Sequence, residues 1–95
     1  MSRFARNVDA NQGQVVAALR KLGAVVHITS GLGGGFPDLV VLHRGRLLLV
    51  EVKDGSKAPS DRKLTPAEQV FHRLFAGHVH IVESVEQALA LLGVA

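Results

Sequence analysis

Three charged residues near the middle of the chain have the types and the spacing that phosphodiester cleavage uses. Asp38 follows a proline, and Glu51 and Lys53 are separated only by Val52. Two carboxylates supply the oxygen ligands that a hard divalent cation prefers, and an ammonium group can stabilise negative charge developing on a phosphate. This chemistry requires a fold that brings Asp38 close to Glu51 and Lys53.

A β-hairpin is the element that must position these residues. The apolar patterns predict two strands, over residues 38–42 and 47–52. With Arg44 and Gly45 as the two central residues of a tight turn, the pairing places Asp38 opposite Glu51. Opposed side chains lie about 5 Å apart on one face, and Lys53, two residues beyond Glu51, shares that face. The two like charges favour a bound cation, which a divalent metal satisfies best.

A purely structural interpretation of the same residues stays open at this point. In that interpretation Asp38 caps the start of a strand, and Glu51 with Lys53 forms a solvated ion pair at a strand end. The neighbourhood favours catalysis, because metal ligands and a phosphate-stabilising cation are predicted at the same place.

The remaining elements follow from caps and periodicity. The first helix is predicted over residues 9–22, with Asp9 or Asn11 as its cap. Thr65 and Glu68 form a capping box that opens a second helix, and Ser84 with Gln87 forms another before a terminal helix. Further strands are predicted over residues 24–28 and 78–82, and residues 53–63 form an exposed loop. Because the hairpin strands are apolar at nearly every position, we predict an α/β fold with helices on both faces of a small mixed sheet.

Length and composition limit the possible classes of protein. The 95 residues suit one domain, 1–95, and the 47% hydrophobic content excludes a disordered chain. No apolar run is long enough for a membrane span, and the N-terminus lacks the apolar segment of a secretory signal. The absence of Cys excludes disulfide scaffolds and thiolate metal sites, and it fits a reducing cytoplasm. A net charge of +3 is compatible with nucleic-acid binding but does not establish it.

The motifs also carry a family resemblance. The segment Gly34-Gly35-Phe36-Pro37-Asp38, followed by Glu51-Val52-Lys53, resembles the PD-(D/E)XK nuclease signature, and the predicted αβββαβ order is the core of that superfamily. More narrowly, the chain resembles the VRR-NUC branch, the virus-type replication-repair nucleases, in their small standalone phage or bacterial form. Leu64-Thr65-Pro66-Ala67-Glu68 with Phe71-His72 supports this assignment, and the resemblance covers residues 9–92.

The resemblance implies a role for each site residue. Asp38 and Glu51 would be metal ligands, the backbone carbonyl of Val52 a further ligand, and Lys53 the group that orients the attacking water or stabilises the phosphate. The implied cofactor is Mg2+, with Mn2+ as a substitute.

One position departs from the family's pattern. The family usually adds an acid from the first helix, where this chain has Gln12-Gly13-Gln14. Helical spacing places Gln12 on the face that meets the sheet and Gln14 at the edge of that face, so Gln12 is the better match. Relatives also commonly have Gln where this chain has Glu68, and the capping box already explains Glu68 structurally.

The resemblance implies a structure-specific DNA endonuclease of replication or repair. Branched DNA such as four-way (Holliday) junctions is the favoured substrate, a homodimer the favoured assembly, and the cytoplasm of a bacterial or phage-infected cell the expected location. Basic residues around the site are candidates for phosphate contacts: Lys53, Lys57, Arg62 and Lys63. A solvated loop, partly neutralised by Asp54 and Asp61, is the alternative for the last three. A nuclease fold that binds DNA without effective catalysis, and an interaction domain without a nucleic-acid role, are the alternative functions.

Overall fold

The helices and strands follow the predicted order in a computed structural model that describes residues 9–94. They are α1 (Gln12–Lys21), β1 (Val25–Ile28), β2 (Leu39–His43), β3 (Arg46–Val52), α2 (Pro66–Leu74), β4 (Val79–Val82) and α3 (Val85–Leu91). One short 3-10 turn, Pro59–Arg62, lies in the loop between β3 and α2. Among the described residues, no helix has the length and apolar character needed to cross a membrane.

The four strands form one mixed sheet in the order β1-β2-β3-β4. The first three strands are antiparallel, and β4 runs parallel to β3. In the hairpin, His43 pairs with Arg46 and Leu39 with Val50, which confirms the predicted register. Arg44 and Gly45 have φ values of 50° and 79°. Positive φ at both central residues is the geometry of the two-residue turn that matches the twist of a hairpin.

The hydrophobic core lies on the face of the sheet that α1 and α3 cover. In β3 the buried apolar residues alternate along the strand: Leu48, Val50 and Val52. They pack with Val15, Val16 and Leu19 of α1, Ala88 of α3, and further buried residues of β1, β2 and β4. Since Val50 and Val52 point into this core, Glu51 points to the opposite face.

The opposite face of the sheet is covered only in part. Helix α2 buries Glu68 and no other residue, and its contact with the sheet is made where Lys53 and Glu51 lie. Next to the turn of the hairpin, one row across three strands is formed by Val25, Leu42 and Leu47, and all three are exposed. The mixed sheet with helices is as predicted, but the apolar pattern overstated how fully this second face is covered within the chain.

Candidate active site

Asp38 lies immediately before β2 and its carboxylate faces the end of β3. Its side chain is buried, and Oδ2 accepts a hydrogen bond of 2.8 Å from the backbone N–H of Val52. The backbone carbonyl of Asp38 accepts from Thr29 N–H at 2.7 Å, and the Thr29 hydroxyl donates to the Pro37 carbonyl at 2.7 Å. Thr29 therefore fixes the backbone at Asp38.

Glu51, Lys53 and Glu68 meet next to Asp38. Lys53 Nζ lies 3.5 Å from Glu51 Oε2 and 3.1 Å from Glu68 Oε1. Glu51 and Glu68 are almost completely buried. Glu68 Oε1 also accepts from Thr65 N–H at 2.9 Å, so the capping box that begins α2 holds this carboxylate in place.

The glycine-rich segment before Asp38 packs against the beginning of α2. Gly35 has a φ of +82°, and a Cβ at this position would overlap the backbone carbonyl of Ala67. Only glycine allows both the backbone conformation and this close approach. The contact brings the strand that carries Asp38 together with the helix that carries Glu68.

The electrostatics of the cluster show that it lacks positive charge. Burial, together with the negative charges of Asp38 and Glu68, raises the pKa of Glu51 to about 9. Burial alone would lower the pKa of Lys53, but Glu68 and Glu51 reverse this and hold it above its ordinary value. Burial would raise the pKa of Glu68, but hydrogen bonds from Thr65 and within the cluster lower it below its ordinary value. A cation or a proton is needed before Asp38 and Glu51 can lie together.

Two buried oxygens without hydrogen-bond partners indicate where a cation fits. Oε1 of Glu51 and Oε1 of Gln12 are two of the three side-chain oxygens within residues 9–94 that are buried and have no hydrogen-bond partner, the third being Oδ1 of Asn11. Such atoms are uncommon in folded proteins, and an ion or water is the usual explanation. The residues present thus suit a hard divalent metal. The described part of the chain contains no group of three or more His, Cys, Asp or Glu side chains arranged to bind a metal, and the third carboxylate of the cluster, Glu68, is engaged by Lys53 and Thr65.

The beginning of α1 places Gln12 and Gln14 as the helical spacing predicts. Gln12 is 5% exposed, whereas Gln14 is exposed. Gln12 Nε2 donates to the hydroxyl of Ser30 at 3.3 Å, which leaves its carbonyl oxygen as the available acceptor. The buried amide is the side chain of α1 that suits a weak, uncharged ligand.

A solved structure described as a VRR_NUC domain shares this fold, with a TM-score of 0.62 and 31% sequence identity. The match covers 87% of this chain and 95% of the other. The chain belongs to the VRR-NUC family. A scan against family models and a search of curated proteins returned no match. As a VRR-NUC domain the protein is a nuclease of the PD-(D/E)XK type, and nucleic acid is the substrate class that this type implies.

Two polar residues that contact the VRR-NUC site were not assigned this role from the sequence. Glu68 matches a position where relatives commonly have Gln and was explained structurally by the capping box, yet it also binds Lys53. Asn11 is the N-cap of α1 but makes no capping hydrogen bond; its Nδ2 donates to the carbonyls of Lys53 and Glu83. Both contacts join segments far apart in sequence, and no local pattern in the chain signals them.

The basic loop after Lys53 is less free than its sequence indicates. Arg62 forms a 2.8 Å ion pair with Glu83, and its Nε donates to the Lys57 carbonyl at 2.8 Å. Lys57 Nζ lies 3.8 Å from Asp9 Oδ1, and both Lys57 and Lys63 are exposed. Arg62 thus anchors the loop to the end of β4, whereas the two lysines extend into solvent.

Proposed function

We propose that this VRR-NUC protein is a metal-dependent, structure-specific DNA endonuclease of replication or repair. The observation that carries the proposal is the convergence of Asp38, Glu51 and Lys53 at the end of the hairpin, with Lys53 3.5 Å from Glu51. Carboxylates paired with a cationic side chain are the equipment for metal-assisted hydrolysis of a phosphodiester.

Asp38 and Glu51 would hold the divalent cation. The Val52 carbonyl and the unpaired oxygen of Gln12 would supply uncharged oxygens beside them. When bound, Mg2+, or Mn2+ in its place, would polarise the phosphate and make water more acidic. The high pKa of Glu51 gives the cation a further role, because a metal replaces the proton that otherwise neutralises this carboxylate.

Lys53 would act on the phosphate. Its ammonium group is held by Glu68 and Glu51, and both contacts keep it protonated. A protonated lysine at this place can orient the attacking water and stabilise the charge that develops on the phosphate oxygens. Glu68 would therefore position Lys53 in addition to capping α2.

Lys57 and Lys63 are the loop residues that we assign to the DNA backbone. Both are exposed next to the site, so they can contact phosphates without breaking a buried interaction. Arg62, which is already paired with Glu83, would shape the loop and contribute less to DNA affinity.

The uncovered sheet face supports a homodimer. Val25, Leu42 and Leu47 are exposed by 54%, 44% and 62% and lie side by side, with Ile81 of β4 exposed on the same face. Apolar patches of this kind are typical of protein interfaces, and a two-fold axis makes one patch complementary to its copy. A symmetric dimer also suits a four-way junction, which presents two equivalent strands.

A second candidate is a nuclease-fold protein that binds DNA but cleaves it weakly or not at all. The observation that favours it is the limit of two carboxylates at the metal site, since Gln12 brings no charge. The two candidates differ in turnover and not in DNA affinity.

The test is cleavage of end-labelled four-way junctions, flaps and linear duplexes of one sequence, each with Mg2+, Mn2+ or EDTA. The proposal predicts metal-dependent cleavage, absent with EDTA, in which branched DNA is cut faster than linear DNA. Tight DNA binding without cleavage in either metal would favour the second candidate.

A further inference from the structure

Asn11 links the beginning of α1 to the backbone of the residue that carries the site's ammonium group. Its Nδ2 donates to the carbonyl of Lys53 at 3.1 Å and to the carbonyl of Glu83 at 3.2 Å. Lys53 and Glu83 directly follow the ends of β3 and β4. One amide group thus joins α1 to the ends of two neighbouring strands.

The sheet alone holds Lys53 incompletely. Its N–H donates to the Val82 carbonyl at 2.9 Å, but β3 ends at Val52, so the Lys53 carbonyl lies beyond the regular ladder. Asn11 supplies the hydrogen bond to that carbonyl. The peptide unit that follows Lys53 is therefore fixed by a side chain and not by the sheet.

Glu83, the second acceptor of Asn11, is itself held from several directions. Its carbonyl also accepts from Gly55 N–H at 3.1 Å, its N–H donates to Gln87 Oε1 at 2.8 Å, and its carboxylate binds Arg62. This makes it a firm reference point for Asn11. Asn11 also directly precedes Gln12 in the chain. A shift of Asn11 would therefore move both the Gln12 amide and the Lys53 ammonium group.

We propose that Asn11 is a positioning residue for Lys53: its amide donors fix the Lys53 backbone so that the ammonium group stays between Glu51 and Glu68. This inference rests on the proposed nuclease function. Beyond that function, the geometry of the site depends on the Asn11 side chain, which makes no direct contact with the Lys53 ammonium group.

Three variants separate positioning from general stability. Asn11→Ala removes both donors, and Asn11→Asp keeps the shape of the side chain but presents a carboxylate to two carbonyl oxygens. Arg20→Ala is the matched control, because Arg20 also joins α1 to the sheet through one side-chain hydrogen bond, to the Val26 carbonyl at 2.9 Å, at the helix end away from the site.

The measurements are the cleavage rate constant at saturating DNA and Mg2+, the DNA dissociation constant, and the melting temperature. We expect all three variants to melt at lower temperature. Only the two Asn11 variants should lose cleavage rate, by about tenfold or more, since a shift of about 1 Å in a catalytic group can cost up to about a hundredfold. DNA affinity should be unchanged. Equal rates for Asn11→Ala and Arg20→Ala, or normal cleavage by Asn11→Asp, would overturn the inference.

A second measurement does not depend on activity. The NMR signal of the Lys53 ε-methylene, assigned by its absence in Lys53→Met, reports the surroundings of the ammonium group. We expect it to move toward the value of an exposed lysine in both Asn11 variants and to stay in place in Arg20→Ala. An unmoved signal in the Asn11 variants would refute the positioning role, whether or not the wild-type protein cleaves DNA. A wild-type protein that cleaves no DNA would by itself refute only the proposed function.

Discussion

Lys53 Nζ lies closer to Glu68 than to Glu51, at 3.1 Å compared with 3.5 Å. The residue that the ExK spacing pairs with Lys53 is therefore not its nearest acidic partner. Glu68 Oε1 accepts from both Lys53 and the N–H of Thr65, so one carboxylate oxygen serves the helix cap and the site together.

The two roles of Glu68 can be separated by substitution. Glu68→Gln keeps an oxygen that can accept from Thr65 N–H but loses the charge that binds Lys53. We expect a change in unfolding free energy of less than about 1 kcal/mol and a loss of cleavage rate of about tenfold or more. Glu68→Ala removes the cap as well and should cost about 1 kcal/mol more. Urea unfolding and cleavage assays on both variants make the comparison, and a fully active Glu68→Gln protein would limit Glu68 to capping.

The stability of the metal-free protein should decrease as the pH rises. Glu51 has a pKa of about 9 in the folded protein, compared with 4.5 for an unperturbed group. The folded state therefore holds a proton that the unfolded chain releases, so the stabilisation is complete below about pH 4.5 and is lost by about pH 9. Melting temperatures measured in EDTA should fall across this range, and Glu51→Gln should flatten the profile. A wild-type profile that matches the Glu51→Gln profile would contradict the assigned pKa.

A divalent cation should reverse the loss of stability at high pH. Helix α1 offers a matched pair of variants with which to study the cation site. Gln12→Glu adds a third carboxylate at a buried position, whereas Gln14→Glu adds one at an exposed position on the same helix. We expect Gln12→Glu to lower the Mg2+ concentration required for half-maximal cleavage, because hard cations favour charged oxygen ligands. Without metal, Gln12→Glu should melt at a lower temperature than the parent, and Mg2+ should restore its melting temperature. If only Gln14→Glu changed the Mg2+ requirement, Gln14 and not Gln12 would be the residue that faces the metal.

The exposed sheet face should hold two copies together. Leu47→Glu places a charge at the β3 end of the row formed with Val25 and Leu42, and it should convert the dimer to a monomer of 10.1 kDa. Leu32→Glu is the control, because Leu32 is 67% exposed but lies in the glycine-rich loop and not in this row. Sedimentation velocity at micromolar concentration distinguishes the two masses. A wild-type monomer, or a dimer that survives Leu47→Glu, would count against this interface.

The hairpin could be predicted in detail because its register depends on local rules. The turn at Arg44 and Gly45 fixes the pairing, and the two-residue period then decides which side chains share a face with Glu51. The same reasoning located the capping box of α2 and the buried side of Gln12. These features are set by a few neighbouring residues, so one sequence is sufficient.

Tertiary placement could not be predicted in the same way. The contact between Glu68 and Lys53 depends on how the intervening loop returns α2 to the sheet. Asn11 was expected, as an alternative to Asp9, to cap its own helix, and instead it binds the backbone of Lys53. Apolar residues on both faces of β2 and β3 predicted coverage by helices. An apolar pattern records that a face avoids water but does not distinguish a helix of the same chain from a second subunit.

The central claim is that Asp38 and Glu51 hold the metal that supports cleavage by this VRR-NUC domain. Asp38→Asn tests it most directly, because it removes one ligand charge while the side chain can still accept from Val52 N–H. On an end-labelled four-way junction in Mg2+, we predict that cleavage by the variant falls below detection while its DNA dissociation constant changes by less than about threefold. Cleavage by purified Asp38→Asn at the wild-type rate would contradict the account.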